Sequence, residues 1–357
     1  MNTEEINEKI ELELEKIKPE LLEKYHEVGI KDQKTIDKLL AYTKKQLIET
    51  ELRLETSPSY NLSYSRATSF FSCNKKYENT YIKKIKPAVQ KPFFIFGSTF
   101  HSLLDTFYDK SNTNDPYIIM QYYLATTLDI EGYYKMKALY ENYLVKYYDF
   151  YENKKYTLIE CEKDHYLDFK FDGIDTVFNV KILMDKLFMT EDGIPVIMDH
   201  KTSGVKLEKF KSIQTKMQPL IYAYAVKKMY PDAKFCYFIY DGIMKISSAT
   251  KIKKNETAIE FSERMMETVS LDPDKYLEMF EHKIMLDDDL EKKVTNFIYR
   301  YAAGVKQCMD LGEFSANEMS CELYGGCEYK EYCDNGGKLT ENYICFSEEE
   351  EDLDLED

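Results

Sequence analysis

The stretch Phe178–Ser203 reads FNVKILMDKLFMTEDGIPVIMDHKTS. Two apolar runs of strand length flank Thr190-Glu191-Asp192-Gly193, and Asp192-Gly193 is a strong hairpin-turn pair. A hairpin centred on Asp192 sets Asp185 opposite Asp199, each seven residues from the turn centre. Side chains alternate along a strand, so Lys201 shares the face of Asp199. Two carboxylates and an ammonium therefore converge, provided the register holds; a slip of one residue would turn every side chain to the other face.

Cleaving a phosphodiester requires charge to be neutralised at the phosphate and a water to be made nucleophilic. Carboxylates hold Mg²⁺ through hard oxygen ligands, and a bound cation lowers the pKa of its water. A nearby lysine orients that water, assists its deprotonation or offsets negative charge. Read without this chemistry, the hairpin leaves Asp185 and Asp199 in solvent at strand ends, with Lys201 as an ion-pair partner.

The order Asp185…Asp199-His200-Lys201-Thr202 resembles the D…(D/E)-x-K core of the PD-(D/E)XK nucleases, and most closely the D-x-K-T strand of their RecB-type branch. Upstream, Phe96-Gly97-Ser98-Thr99-Phe100-His101 resembles the G-x-x-x-H element that opens a helix; downstream, Gln218-Pro219-Leu220-Ile221-Tyr222 resembles the Q-x-x-x-Y element. Gln218 and Tyr222 are four apart and share a helix face. The resemblance implies an α/β fold with a mixed central sheet flanked by helices, the restriction-endonuclease-like core. It also implies that His101, Asp185, Asp199 and the main-chain carbonyl of His200 ligate Mg²⁺ or Mn²⁺. Lys201 would position or activate the water, and Gln218 and Tyr222 would orient the site or contact DNA. The expected activity is a metal-dependent deoxyribonuclease, working as an exonuclease on DNA ends in recombination, repair or replication. The competing class is a non-catalytic DNA-binding or scaffold subunit of a helicase–nuclease or recombination complex. No Walker A loop is present, so any unwinding would come from a helicase partner. A stand-alone enzyme of this type suits a phage or mobile element.

Eight cysteines in a chain without a signal-peptide core argue for metal ligation or burial rather than disulfides. Cys73 stands early, and Cys321, Cys327 and Cys333 follow late with C-x₅-C-x₅-C spacing. Four thiolates hold a [4Fe–4S] cluster or Zn²⁺. One early and three late cysteines bracketing the core resemble the iron–sulfur nucleases, including the AddB nuclease domain and the CRISPR spacer-acquisition exonucleases, which implies a [4Fe–4S] clip. Cys161, Cys236 and Cys308 sit in apolar patterns and read as buried thiols.

Of the 357 residues, 44% are hydrophobic, enough for a sizeable core, with 31 Tyr and 20 Phe but no Trp. The net charge of −16 opposes tight nonspecific DNA binding. Glu348–Asp357, with eight acids and no base, carries half of it. No run of apolar residues is long enough for a membrane span, and a cytoplasmic location is expected, that of the host if phage-encoded. Oligomeric state is left open.

The pattern divides into a helical extension over 1–58, a nuclease domain over 59–340 and an acidic disordered tail over 341–357. Helices are expected near 6–21, kinked or restarted at Pro19, and near 36–54, with a linker at 55–59. Further helices are expected over 65–81 bearing Cys73, over 98–108 after a break at Gly97, across the tyrosine-rich 117–154, and over 207–229 and 287–311. Strands are expected over 157–171, 177–189, 195–201, 234–240 and 243–248. The tyrosines of 133–151 read as core rather than as base-stacking groups.

Overall fold

The computed structural model describes residues 3–56, 61–88, 92–322 and 326–345. Most of the expected linker and the whole acidic run 348–357 lie outside the described residues. The chain opens with α1 (Thr3–Glu27) and α2 (Gln33–Thr56), then α3 (Tyr64–Ser72), α4 (Asn74–Tyr77), a π-helical turn (Glu78–Ile82) and β1 (Ile85–Pro87). Four helices follow: α5 (Pro92–Tyr108), α6 (Pro116–Thr127), α7 (Ile130–Tyr147) and α8 (Phe150–Lys154). The sheet strands are β2 (Tyr156–Phe171), β3 (Ile174–Thr190) and β4 (Pro195–Ser203). After α9 (Met217–Met229) come β5 (Phe235–Met244), α10 (Ala258–Ser270), α11 (Pro273–Tyr276) and β6 (Leu277–Met285). The described chain closes with α12 (Asp288–Leu311), α13 (Glu318–Cys321), α14 (Lys330–Asp334) and β7 (Tyr343–Cys345).

The main sheet runs β2-β3-β4-β5-β6. Every neighbouring pair is antiparallel except β4 and β5, which are parallel. A parallel pair needs a crossover, and α9 supplies it. One face of the sheet packs Phe188, Val196, Met198 and Ile239 against Phe100, Leu104, Tyr140 and Phe261 of the helices. Tyr25 and Leu39 of α1 and α2 join the same cluster. The opposite face packs Met184, Leu187, Ile197 and Phe238 against Ala67, Tyr222, Val294 and Tyr301. A mixed sheet between two helical layers is the architecture expected from the order of elements.

The hairpin has the expected register: Lys186 pairs with Met198 and Phe188 with Val196. Gly193, at φ +74°, makes the turn. Several expectations are corrected. Helix α1 runs through Pro19, and α5 runs through Gly97. The helix expected over 65–81 breaks at Cys73, whose φ of −162° is extended backbone, and its cap is Ser63. Helix α9 starts at Met217 rather than 207, which puts Pro219 in the first turn, where a missing N–H costs nothing. The strands expected over 234–240 and 243–248 merge into one strand, β5, which runs through Asp241-Gly242 and ends at Met244, so 245–248 lie outside it. The tyrosine-rich segment is largely core: Tyr133, Tyr140 and Tyr143 are buried, although Tyr148 is exposed. At the start of the segment read as tail, Tyr343–Cys345 form β7 and pair with β1.

Candidate active site

Strands β3 and β4 stop pairing at Lys186 and Met198, so the next residues, Asp185 and Asp199, stand where the strands part. Asp185 Oδ2 accepts the backbone N–H of His200 at 2.6 Å, replacing a ladder bond with a side chain. Asp199 is fully buried. The Lys201 Nζ lies 3.0 Å from both of its oxygens but bonds only Oδ1; Oδ2 is buried with no hydrogen-bond partner. Burial pushes the Asp199 carboxyl up to about 6, with Asp185 adding to it against Lys201. Burial acts the same way on Asp185, but His101, His200, Lys201 and Lys186 outweigh it and hold it at about 2. Lys201 is raised: burial works against its charge, and Asp199 and Asp185 prevail. It is therefore an ammonium here.

His101 comes from α5 on the other side of the sheet edge, with Nδ1 3.8 Å from Asp185 Oδ2. What brings it there is Gly97, one turn earlier. A Cβ at Gly97 would meet Thr202 Oγ1 of β4 at 3.3 Å, so the glycine lets the helix approach the strand end. Asp105, one turn past His101, forms an ion pair with fully buried Lys186. Glu162 of β2 lies level with Asp185, between the pairs Cys161–Lys186 and Lys163–Met184. Its φ is +45°, a conformation that costs a non-glycine residue energy. Its side chain keeps contact with solvent, yet desolvation of the carboxyl, with Asp105 and Asp185 adding to it against Lys186, pushes the group up to about 7. Glu162 and Asp105 line a polar cleft of about 320 Å³. Neither was singled out from sequence. For Asp105 a signal existed, since it shares the helix face of His101; for Glu162 none did.

The His200 side chain points away from Lys201. Its Nδ1 lies 2.7 Å from Asp241 Oδ2, which also accepts the Tyr143 hydroxyl at 2.7 Å. Tyr108 stacks on the ring at 5.4 Å. The His200 main-chain N–H bonds Asp185, while its ring packs edge-on against His101 with centroids 5.6 Å apart. Gln218 Nε2 donates to the Tyr222 hydroxyl at 2.8 Å. Tyr222 shares a core cluster with Ile197, so by alternation the pair lies on the face of Asp199 and Lys201. Among the described residues no three His, Cys, Asp or Glu side chains already stand as a metal-holding group. The donor set of carboxylate, carboxylate and imidazole, with one orphaned buried oxygen, nevertheless fits a divalent cation.

With the fold and this geometry in place, the sequence model for the PD-(D/E)XK nuclease superfamily matches residues 61–334. The chain belongs to the PD-(D/E)XK nuclease superfamily. No curated protein matches the sequence. A solved structure described as "Crystal structure of SSO0001" aligns over 71% of this chain and 98% of its own, at 13% identity and a TM-score of 0.29. A likeness that slight bears no argument.

In this PD-(D/E)XK protein the four cysteines share one corner beside the sheet. Cys73, at the break between α3 and α4, accepts the Asn317 N–H at 3.4 Å, and Cys333 accepts Asn79 Nδ2 at 3.7 Å. The Cys327 N–H closes a turn onto the Cys321 carbonyl at 2.9 Å. Burial raises the Cys333 thiol, and Cys73 and Cys321 raise it further; Cys327 is raised by burial and also by Cys321. Two of the four thiols receive N–H donors, and thiolates are the donor type that iron–sulfur clusters and Zn²⁺ take, although among the described residues no three of them already stand as a metal-holding group. Cys236 is buried as expected and Cys161 and Cys308 half-buried, while Cys345 is exposed.

Proposed function

We propose that the protein is a Mg²⁺- or Mn²⁺-dependent deoxyribonuclease of the RecB-type branch, acting as an exonuclease on DNA ends in recombination, repair or replication. The observation that carries this reading is the Asp199 carboxylate, fully buried with one oxygen unsatisfied beside a second carboxylate. Lys201 bonds only one of the Asp199 oxygens, and a buried acceptor left without a partner costs free energy, so a cation is the economical explanation for the other. Asp185, Asp199, His101 and the His200 carbonyl are the ligands in this reading. The bound cation supplies charge at the phosphate and a more acidic water. Lys201, kept protonated by both carboxylates, orients that water or holds a phosphate oxygen. Gln218 and Tyr222, bonded to each other, present a donor and a ring to the strand backbone. Cys73, Cys321, Cys327 and Cys333 hold a structural [4Fe–4S] cluster, with Zn²⁺ the other candidate for the same thiolates.

The test is cleavage of end-labelled single- and double-stranded DNA by anaerobically purified protein in Mg²⁺, Mn²⁺ or EDTA. Metal-dependent degradation from the ends is expected, with Lys201→Ala slower by roughly 10²-fold or more. Folded wild type that binds DNA but cleaves none with either metal would favour the scaffold-subunit reading instead.

A further inference from the structure

The segment joining β4 to α9 carries Lys206, Lys209, Lys211 and Lys216 against one acid, Glu208, and follows Lys201 at the end of β4. In a chain of net charge −16 this reverses the average. Lysines elsewhere are commonly paired, as Lys24 is with Glu20, Lys137 with Glu141 and Lys293 with Asp289. Among the described residues the side chains of Lys206, Lys211 and Lys216 have no partner, and Lys209 rests on the Phe210 ring at 4.9 Å.

The segment is also pinned. Leu207, Phe210 and Ile213 are buried at three-residue spacing, which leaves Lys206, Lys209 and Lys211 facing solvent. Leu207 sits on Gly242, where a Cβ would meet it at 3.1 Å. Phe210 packs on Tyr240 with ring centroids 4.9 Å apart, and its carbonyl accepts His282 Nε2 at 2.8 Å. The Lys209 side chain is exposed yet partly desolvated, which disfavours its charge first, and Lys216 and then Lys201 add to this, so the three cations lie within reach of one another's fields. A backbone held by apolar pins, presenting like charges next to a hydrolytic site, is preorganised for an anion and unfavourable without one.

We infer that this turn is a phosphate rail, in which Lys209 and Lys216, continuing from Lys201, take backbone phosphates of the DNA strand that is led to Asp185 and Asp199. The identity of the strand rests on the nuclease reading above; the rail itself is a statement about polyanion binding. Contacts of this kind position the strand and carry no base information.

The experiment measures binding of a fluorescein-labelled oligodeoxynucleotide in EDTA, across a salt series, to the full chain and to Lys209→Gln/Lys216→Gln. Each phosphate contact contributes about 0.7 to the slope of log K against log salt for single strands. The double variant should lose about 1.4 of that slope and roughly tenfold in affinity near physiological salt. Lys209→Arg/Lys216→Arg should keep the slope, and Lys293→Gln on α12 should not move it. With metal added, KM should rise while kcat at saturation stays. An unchanged slope in the double Gln variant overturns the rail, as does wild type that binds no DNA. A double Gln variant that binds DNA like wild type but no longer binds the peptide Glu348–Asp357 would assign the turn to the acidic tail and also overturn it. Wild type that binds with the expected slope but never cleaves leaves the rail standing and removes only the nuclease reading.

Discussion

Asp199 is the residue on which stability and chemistry pull apart. Its carboxyl sits at about 6 against an ordinary 3.8, raised first by burial. A group whose value is raised by folding contributes stability that is fully present below its unfolded value and lost as pH rises through its folded value. The metal-free protein should therefore lose stability between about pH 4 and pH 6 through this group, of order 2–3 kcal/mol. Asp185 has the opposite sign: held at about 2, it contributes stability above its ordinary 3.8 that is lost only as pH falls towards 2. Asp199→Asn removes the penalty, so it should melt higher than wild type at about pH 7.5 in EDTA, with the advantage vanishing below about pH 4, while abolishing cleavage. Thermal melts at the two pH values decide it; an Asn variant less stable than wild type at neutral pH would sink the idea.

Among the elements, α5 brings Gly97 and His101 to the site together. Gly97 lies inside a helix, where it costs about 1 kcal/mol relative to alanine. The reason for keeping it is the approach to Thr202 of β4, where even a Cβ would sit at 3.3 Å. His101 is on the same helix face one turn on, so the crossing at Gly97 sets the distance from imidazole to Asp185. Gly97→Val should force α5 away from β4 and cut cleavage by roughly tenfold or more, whereas Gly97→Ala should change stability by less than about 1 kcal/mol. Metal titration followed by calorimetry is the readout: Val should weaken cation binding and Ala should not. Equal affinity for all three proteins would mean that Gly97 does not place His101.

At the scale of the whole molecule, a metal centre on the four cysteines, as proposed, would tie an early segment of the chain to a late one. Cys73 follows α3, and Cys321, Cys327 and Cys333 follow the long helix α12, so an ion shared among them would close a loop of chain that contains the entire sheet. Such closure removes entropy from the unfolded chain. Cys73→Ala should lose the bound iron, measured by metal and sulfide analysis, and lower the melting temperature by roughly 5 °C or more. Cleavage should fall with it, although Cys73 touches none of the carboxylates. Zinc in place of iron would keep the clip and change the cofactor. A variant that keeps its metal and its melting temperature would show that these thiols are ordinary buried cysteines.

The sequence by itself determined the hairpin, its register and the meeting of Asp185, Asp199 and Lys201, because turn chemistry and strand alternation act over a few residues. It also located α12, which ends at Gly312 as expected. Only the tertiary structure decided the rest. Asp241-Gly242 has the composition of a turn, yet it lies inside β5 because Asp241 is held by His200 and Tyr143 and Leu207 needs the space over Gly242. Gly97 has the composition of a helix break, yet it is a close approach. Glu162 and Asp105 reach the site from another strand and a helix, and no local pattern records which distant side chains will share a cleft. Periodicity is a property of neighbours in the chain, whereas a site assembled from β2, β3, β4 and α5 is a property of packing.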